Sequence, residues 1–292
     1  MKQLDSAVCQ LSKERAFSEV FGCVGGQASF FHRKWLADWQ AALGISFVNH
    51  HLSLYSMRGE RKRDYPANFF YPQPWWSEEK YISEYLGRVS AAVSTGTRLV
   101  QVLVLQPLRS AWCENSPSQN AFSGAQAAID EPVKVLSQRL MEEKLDFHFG
   151  NETLISRHGR VERKKFVIGA CAYDSVVVPP MKSVASETWE LLRTFASQGG
   201  RVFFIHHLPS MIDAEPADLN FPEAQVFPGI EDCLVGLDRH YPARIRVKDV
   251  LTGENAKPVF VHSRALPEGA LHFFANTSED RGFKTRIALG TE

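Results

Sequence analysis

The 292-residue sequence lacks most of the features that assign a function on sight. Its five cysteines (Cys9, Cys23, Cys113, Cys171 and Cys233) are scattered and odd in number, with no C-x-x-C pair. That argues against a disulfide framework and against a zinc knuckle. No run of about 18 apolar residues could span a bilayer, and no apolar signal core precedes the charges at Lys13, Glu14 and Arg15. A reduced, cytoplasmic setting is expected. Thirty-three basic residues balance thirty-three acidic ones, so no global field favours nucleic acid or an anionic membrane. The short basic runs from Arg58 to Arg63 and from Arg160 to Lys165 read as solvated loops and helix ends. There is no G-x-G-x-x-G (Leu105 leads into Gln106-Pro107-Leu108), no P-loop and no H-E-x-x-H spacing. Neither a cofactor nor a metal is therefore predicted.

The composition, 44% hydrophobic and 23% charged, is that of a globular protein with room for two cores. Residues 1–15 show the three-to-four spacing of a short amphipathic helix. A strand-like step reaches Glu19 and runs into Gly22, Gly25 and Gly26. A helix is predicted from Ser29 to a Gly44 cap, with Phe31, Trp35, Ala42 and Leu43 on one buried face. Ile45–Val48 forms a second strand ending in Asn49-His50-His51, and a second helix runs from about Glu78 to Thr95, closed by Gly96. Further strands are predicted at Leu99–Leu105, Asp146–Phe149, Phe166–Gly169, Ser175–Val178 and Arg201–Ile205. Helices fall between them at about 125–144 and at Ser186–Ser197, and a β-hairpin is read at 258–275. This alternation is that of parallel βα units followed by a doubly wound, flavodoxin-like α/β sheet.

Glu19 is the first chemical candidate, because catalytic groups in parallel α/β folds project from the carboxyl ends of strands. A carboxylate there acts as nucleophile or as base if a second carboxyl group faces it across a sugar; the plainer alternative is a surface or capping glutamate. His50 and His51 end the next strand. Neighbouring strand residues point to opposite faces, so one should face the mouth and the other pack beneath. The long segment 52–77 is dense in aromatic residues, and Tyr55, Arg61 and Asp64 are its candidates for contact with sugar hydroxyls and ring faces. Trp75 and Trp76, beside a helix start, read better as pins for the loop. His206 and His207 read as ordinary histidines at a strand end. A glutaminase would need a cysteine at a strand–helix elbow, where the chain offers Pro179-Pro180-Met181, with Cys171 preceding the strand.

Several motifs together resemble the last barrel units of large bacterial α-L-rhamnosidase-like glycoside hydrolases. They are Ser18-Glu19-Val20-Phe21-Gly22, Lys34-Trp35-Leu36-Ala37-Asp38-Trp39, His50-His51-Leu52-Ser53-Leu54-Tyr55-Ser56, Gly59–Pro66 and Gln73-Pro74-Trp75-Trp76. Val104-Leu105-Gln106-Pro107 with Ser110-Ala111-Trp112 resembles the start of the amidotransferase-like domain that follows those barrels, and Phe273–Ser278 is similar to the lead into their next β-rich domain. The resemblance implies a partial (β/α) barrel over 1–97, a flavodoxin-like domain over 98–278 and a tail or next domain over 279–292. It implies a glycosidase that cleaves terminal sugars, with rhamnosides as expected substrates and Glu19 as one of two catalytic carboxylates. A whole barrel takes about 250 residues, so most βα units are expected to lie outside these residues, and with them the second carboxylate. Catalysis by this chain alone is not expected, and the uncovered barrel surfaces are expected to favour self-association. The rival readings are a non-catalytic carbohydrate-binding or assembly module and an amidotransferase-like enzyme.

Overall fold

Helix ends show how local sequence builds the first part of the chain. In the computed structural model, which describes residues 1–56, 58–62, 68–115, 124–241 and 245–290, helix α1 spans Lys2–Gln10 and strand β1 spans Phe17–Val20. Helix α2 spans Phe30–Ala42, and its N-cap Ser29 accepts the His32 amide at 3.2 Å, satisfying one of the donors a helix start leaves free. Gly44 follows at φ +101°, and the Asp5 side chain occupies the space a Cβ would need; only glycine fits both constraints. Strand β2 is Phe47–His50 and helix α3 is Glu79–Ser94. The carboxyl end of α3 is capped from a distance. Arg264 donates to the carbonyls of Val93 (2.9 Å), Ser94 (3.2 Å) and Gly96 (2.6 Å), groups that lack partners within the helix.

The buried face of α2 agrees with the predicted one at Ala42 and at Leu43 just past the helix, but not at Phe31. Phe31 is 66% exposed, whereas Arg33, Ala37, Asp38, Ala41 and Ala42 are buried. The reason is Arg33: it faces a carboxylate on α3, and that pairing turns the helix so that Phe31 meets solvent.

By its internal packing the chain divides into two units, Met1–Val8 with Lys13–Leu99 and Asp249–Thr285, and Cys9–Ser12 with Val100–Lys248 and Arg286–Glu292. In the first unit β1 and β2 pair in parallel, with Phe17 opposite Phe47, Glu19 opposite Asn49 and Val20 opposite His50. Among the described residues no other strand joins this sheet. One of its faces packs on α2 and α3 through Val20, Val48, Ala37, Ile82 and Leu86. The other face carries Phe17 and Phe47, 51% and 45% exposed. Parallel strands are ordinarily covered on both faces, so a sheet covered on one side is unusual. The predicted hairpin is present as Val259–Leu266 and Gly269–Asn276, and its first strand also pairs with Thr97–Arg98.

The second unit is built on a five-stranded parallel sheet of β3 (Val102–Leu105), β4 (Phe147–Gly150), β5 (Ser175–Val178), β6 (Arg201–Ile205) and β7 (Gln225–Phe227). Its spatial order is β4-β3-β5-β6-β7, all parallel. β3 and β5, central in the sheet, are buried along their whole length, as their apolar sequences require, and the edge strand β4 is buried as well. The core includes Leu103, Leu105, Val176, Val178, Trp189, Phe195 and Phe204. The architecture is mixed α/β with a parallel central sheet, as the sequence predicts. No helix among the described residues is long and apolar enough to cross a membrane.

One buried group gives the fold a pH dependence. His262, on the first hairpin strand, is 1% exposed. Burial first, and then the Arg98 charge, push its imidazole well below the ordinary 6.5. The unfolded chain therefore binds a proton that the folded chain refuses, so this contribution to stability is intact above pH 6.5 and is lost as pH falls below it. Urea unfolding should show stability falling with a slope approaching ~1.4 kcal/mol per pH unit for this one proton, and His262→Phe should flatten that slope.

Candidate functional site

The ends of β1 and β2 bring several of the predicted residues together. Glu19 and His51 lie on the exposed face, with His51 Nε2 3.4 Å from Glu19 Oε1 and side chains 20% and 56% exposed respectively. His50, one residue earlier, faces the helices, as alternation along a strand requires. The backbone just beyond both strands is strained. Phe21 (φ 68°), Cys23 (φ 56°) and Leu52 (φ 57°) all lie in the left-handed region, which costs about 1–3 kcal/mol for each non-glycine residue unless its surroundings over-determine it.

Beneath the sheet those surroundings are a buried ion pair. Arg33 is fully buried and donates through both terminal nitrogens to Glu79, at 2.8 and 2.5 Å. Its guanidinium is ringed by Phe69 (4.5 Å), Phe21 (5.3 Å), Trp75 (5.4 Å) and Phe30 (5.6 Å). Glu79 Oε1 lies 3.7 Å from His50 Nδ1, and the His50 ring meets Phe21 edge-on at 5.2 Å and Phe69 at 6.0 Å. Burial and then the Arg33 charge lower the His50 pKa, with Glu79 opposing them. His50 also lines a cavity of about 270 Å³ with Val48, Ser83, Leu86, Gly87 and Ser90.

Of the loop candidates, Tyr55 is fully exposed. The flanks of its loop are tied by Ser53 Oγ to the Phe69 carbonyl (2.9 Å) and by the Leu54 amide to Asn68 Oδ1 (3.1 Å). Arg61 belongs to the short 3-10 turn Gly59–Lys62, but its side chain and the whole of Asp64 lie outside the described residues. Trp75 packs on Phe30 and Phe69.

Sequence reasoning missed Asn49, which stands beside Glu19 in register, and the Phe17–Phe47 ring pair at 5.6 Å on the same face. It also missed Arg33 and Glu79. The available signal for Arg33 was a charge three residues after Phe30 and four before Ala37, on what proves to be the buried stripe.

In the second unit the carboxyl edge of the sheet is tied by charges. Arg109 meets Asp213 at 2.8 Å and Glu152 at 3.8 Å, and Glu152 accepts the Ala185 amide at 2.6 Å. Burial raises the Glu152 pKa despite that amide and Arg109. Cys171 lies in the antiparallel strand Cys171–Tyr173 ahead of β5, and burial pushes the Cys233 thiol up to about 12.

No protein-family model matches the sequence, and no curated protein matches it either. Solved structures do. A rhamnosidase from Novosphingobium sp. PP1Y matches with a TM-score of 0.65 at 10% identity, over 93% of this chain and 26% of its own. A GH42 β-galactosidase from G. stearothermophilus matches at 0.61 and 15% identity, over 89% and 46%. An exo-carrageenase GH42 from Bacteroides ovatus matches at 0.51 and 11% identity, over 81% and 31%. The chain thus shares a fold with parts of glycoside hydrolases and spans less than half the length of each.

Glu19 at the end of β1 and Glu79 at the start of α3 should behave differently. Removing Glu79 by Glu79→Leu strands the buried Arg33 and should cost about 3–5 kcal/mol in urea unfolding. Glu19→Gln, at an exposed position, should change stability by less than about 0.5 kcal/mol. Equal losses would contradict the division into a buried structural carboxylate and an exposed one.

Proposed function

We propose that this chain forms the closing part of a glycoside-hydrolase active site, with Glu19 as one of the two catalytic carboxylates. The observation that carries this reading is the one-sided β1–β2 sheet. Its exposed face bears Glu19, Asn49 and His51 at the strand ends and the Phe17 and Phe47 rings two residues below Glu19 and Asn49. Carboxylate, amide and imidazole suit sugar hydroxyls, and exposed aromatic rings suit the apolar faces of sugars. In such a site Glu19 acts as nucleophile if the second carboxyl group stands about 5–5.5 Å away, or as base for water at about 6.5–9.5 Å. Glu79 cannot be that partner, since Arg33 holds it under the opposite face.

On this reading β1 and β2 are neighbouring strands of a (β/α) barrel, a view supported by the fold shared with the rhamnosidase and the β-galactosidase. α-L-Rhamnosides are the proposed substrates, in line with the motif resemblance, and β-galactosides are the comparison class. We read the second unit as flavodoxin-like, a reading supported by a strand order with the second strand at the edge and the first beside it. We assign it a scaffolding role, because its carboxyl edge is spanned by the Arg109–Asp213–Glu152 ion cluster rather than open. The open edges of the β1–β2 sheet, rather than its Glu19 face, are the proposed surface for self-association.

A second reading, carbohydrate binding without turnover, is favoured by the full exposure of Tyr55. One experiment separates the two. Aryl α-L-rhamnosides and aryl β-galactosides are offered to the wild type, Glu19→Gln, His51→Ala and Tyr55→Ala, with turnover and sugar binding both measured. Binding to one sugar class, weakened about tenfold or more by His51→Ala and Tyr55→Ala, supports the site. Turnover abolished by Glu19→Gln makes the chain an enzyme in its own right, and binding without turnover makes it a partial site. Binding of neither sugar, or equal binding by all variants, refutes the proposal.

A further inference from the structure

We infer that the Arg33–Glu79 ion pair is a positioning device that sets His51 against Glu19, acting through His50 and Phe21 from beneath the sheet. The inference rests on the reading of the Glu19–His51 face as the working face, and adds to it the residues that hold its geometry.

The pair is a poor choice if stability were its only role. A buried arginine and carboxylate lose their hydration, and apolar residues of similar volume commonly do as well or better in such a place. What an ion pair offers instead is direction. Both terminal nitrogens of Arg33 are aimed at the two oxygens of Glu79, so the planes of guanidinium and carboxylate are fixed together.

The segments leaving both strand ends are tied to this fixed point, one directly through Phe21 and the other through Phe69. Phe21, at φ 68°, follows Val20 and lies against the guanidinium at 5.3 Å. Phe69, at 4.5 Å from the guanidinium, sends its amide to the Leu52 carbonyl at 3.0 Å, and Leu52, at φ 57°, directly follows His51. His50 packs on both Phe21 and Phe69 with Nδ1 3.7 Å from Glu79. Because adjacent strand residues point to opposite faces, fixing His50 below fixes His51 above. Strained left-handed residues persist only where their neighbours over-determine them, and here the neighbours are the rings packed on Arg33. The charged groups around His50 are Arg33 on α2, Glu79 on α3 and, along its cavity, Arg15. The low His50 pKa is consistent with a neutral ring packed for position rather than one that carries charge.

The test uses the labelled 292-residue chain and needs no sugar, so its failure is distinguishable from failure of the glycosidase reading. The quantity measured is the change in the His51 imidazole NMR signals caused by Glu19→Gln. It is read in the wild-type background, in the double variant Arg33→Met/Glu79→Leu, and in Arg33→Lys. The double variant replaces the pair by apolar residues and should remain folded, while Arg33→Lys keeps the charge without the two-pronged geometry. We expect a clear response in the wild type and a loss of about half or more of it in both other backgrounds, with melting temperature followed in parallel. An undiminished response in a folded double variant, or in Arg33→Lys, would make the pair merely structural and overturn the inference. So would the absence of any response in the wild type.

Discussion

A guanidinium with no exposed surface, closed in by four aromatic rings and answered by one carboxylate, sets the terms for the first unit of this protein. Arg33 cannot be left without Glu79, because an unpaired charge at that depth costs several kcal/mol. The requirement fixes which way α2 faces and how the start of α3 meets it. Tyr85, donating to Asp38 at 2.7 Å, adds a second tie between the same two helices. The strand ends that bear Glu19 and His51 rest on the rings around that pair, so the exposed chemistry is mounted on a buried electrostatic bond.

The same unit shows a parallel sheet put to uncommon use. Its helix side is filled by aliphatic and aromatic side chains, while its other side presents a carboxylate, an amide, an imidazole and two phenyl rings to solvent. The second unit offers a contrast, since its strands β3 to β6 are buried and its polar groups at the carboxyl edge are engaged with one another. Chemistry and scaffold are thereby divided between the two units.

Much of this was legible in the sequence, and the failures have physical causes. Ser175–Val178, Ser186–Ser197 and Arg201–Ile205 were read to the residue, because apolar runs and the Gly199-Gly200 stop leave little choice. The placement of Glu19 and the two histidines at strand ends followed from parallel βα order. The face of α2 was misread because Phe31 and Trp35 satisfy an apolar period, while the true stripe contains a charge whose partner lies 46 residues away. The strand read as Leu99–Leu105 begins later, at Val102, because the Leu99 amide bonds to the Ser263 carbonyl of the hairpin. That contact joins segments more than 150 residues apart, and no local pattern reveals it. Asn49 was overlooked for the opposite reason: it becomes noteworthy only once the register puts it beside Glu19.

The central claim is that the exposed face of β1 and β2 receives a sugar. The most direct measurement is residue-resolved mapping of amide shifts while the labelled protein is titrated with methyl α-L-rhamnoside. The account predicts saturable changes centred on residues 19–22 and 49–55, with β3 to β7 unaffected. Saturable changes confined to the second unit, or none at concentrations where weak sugar sites fill, would contradict it.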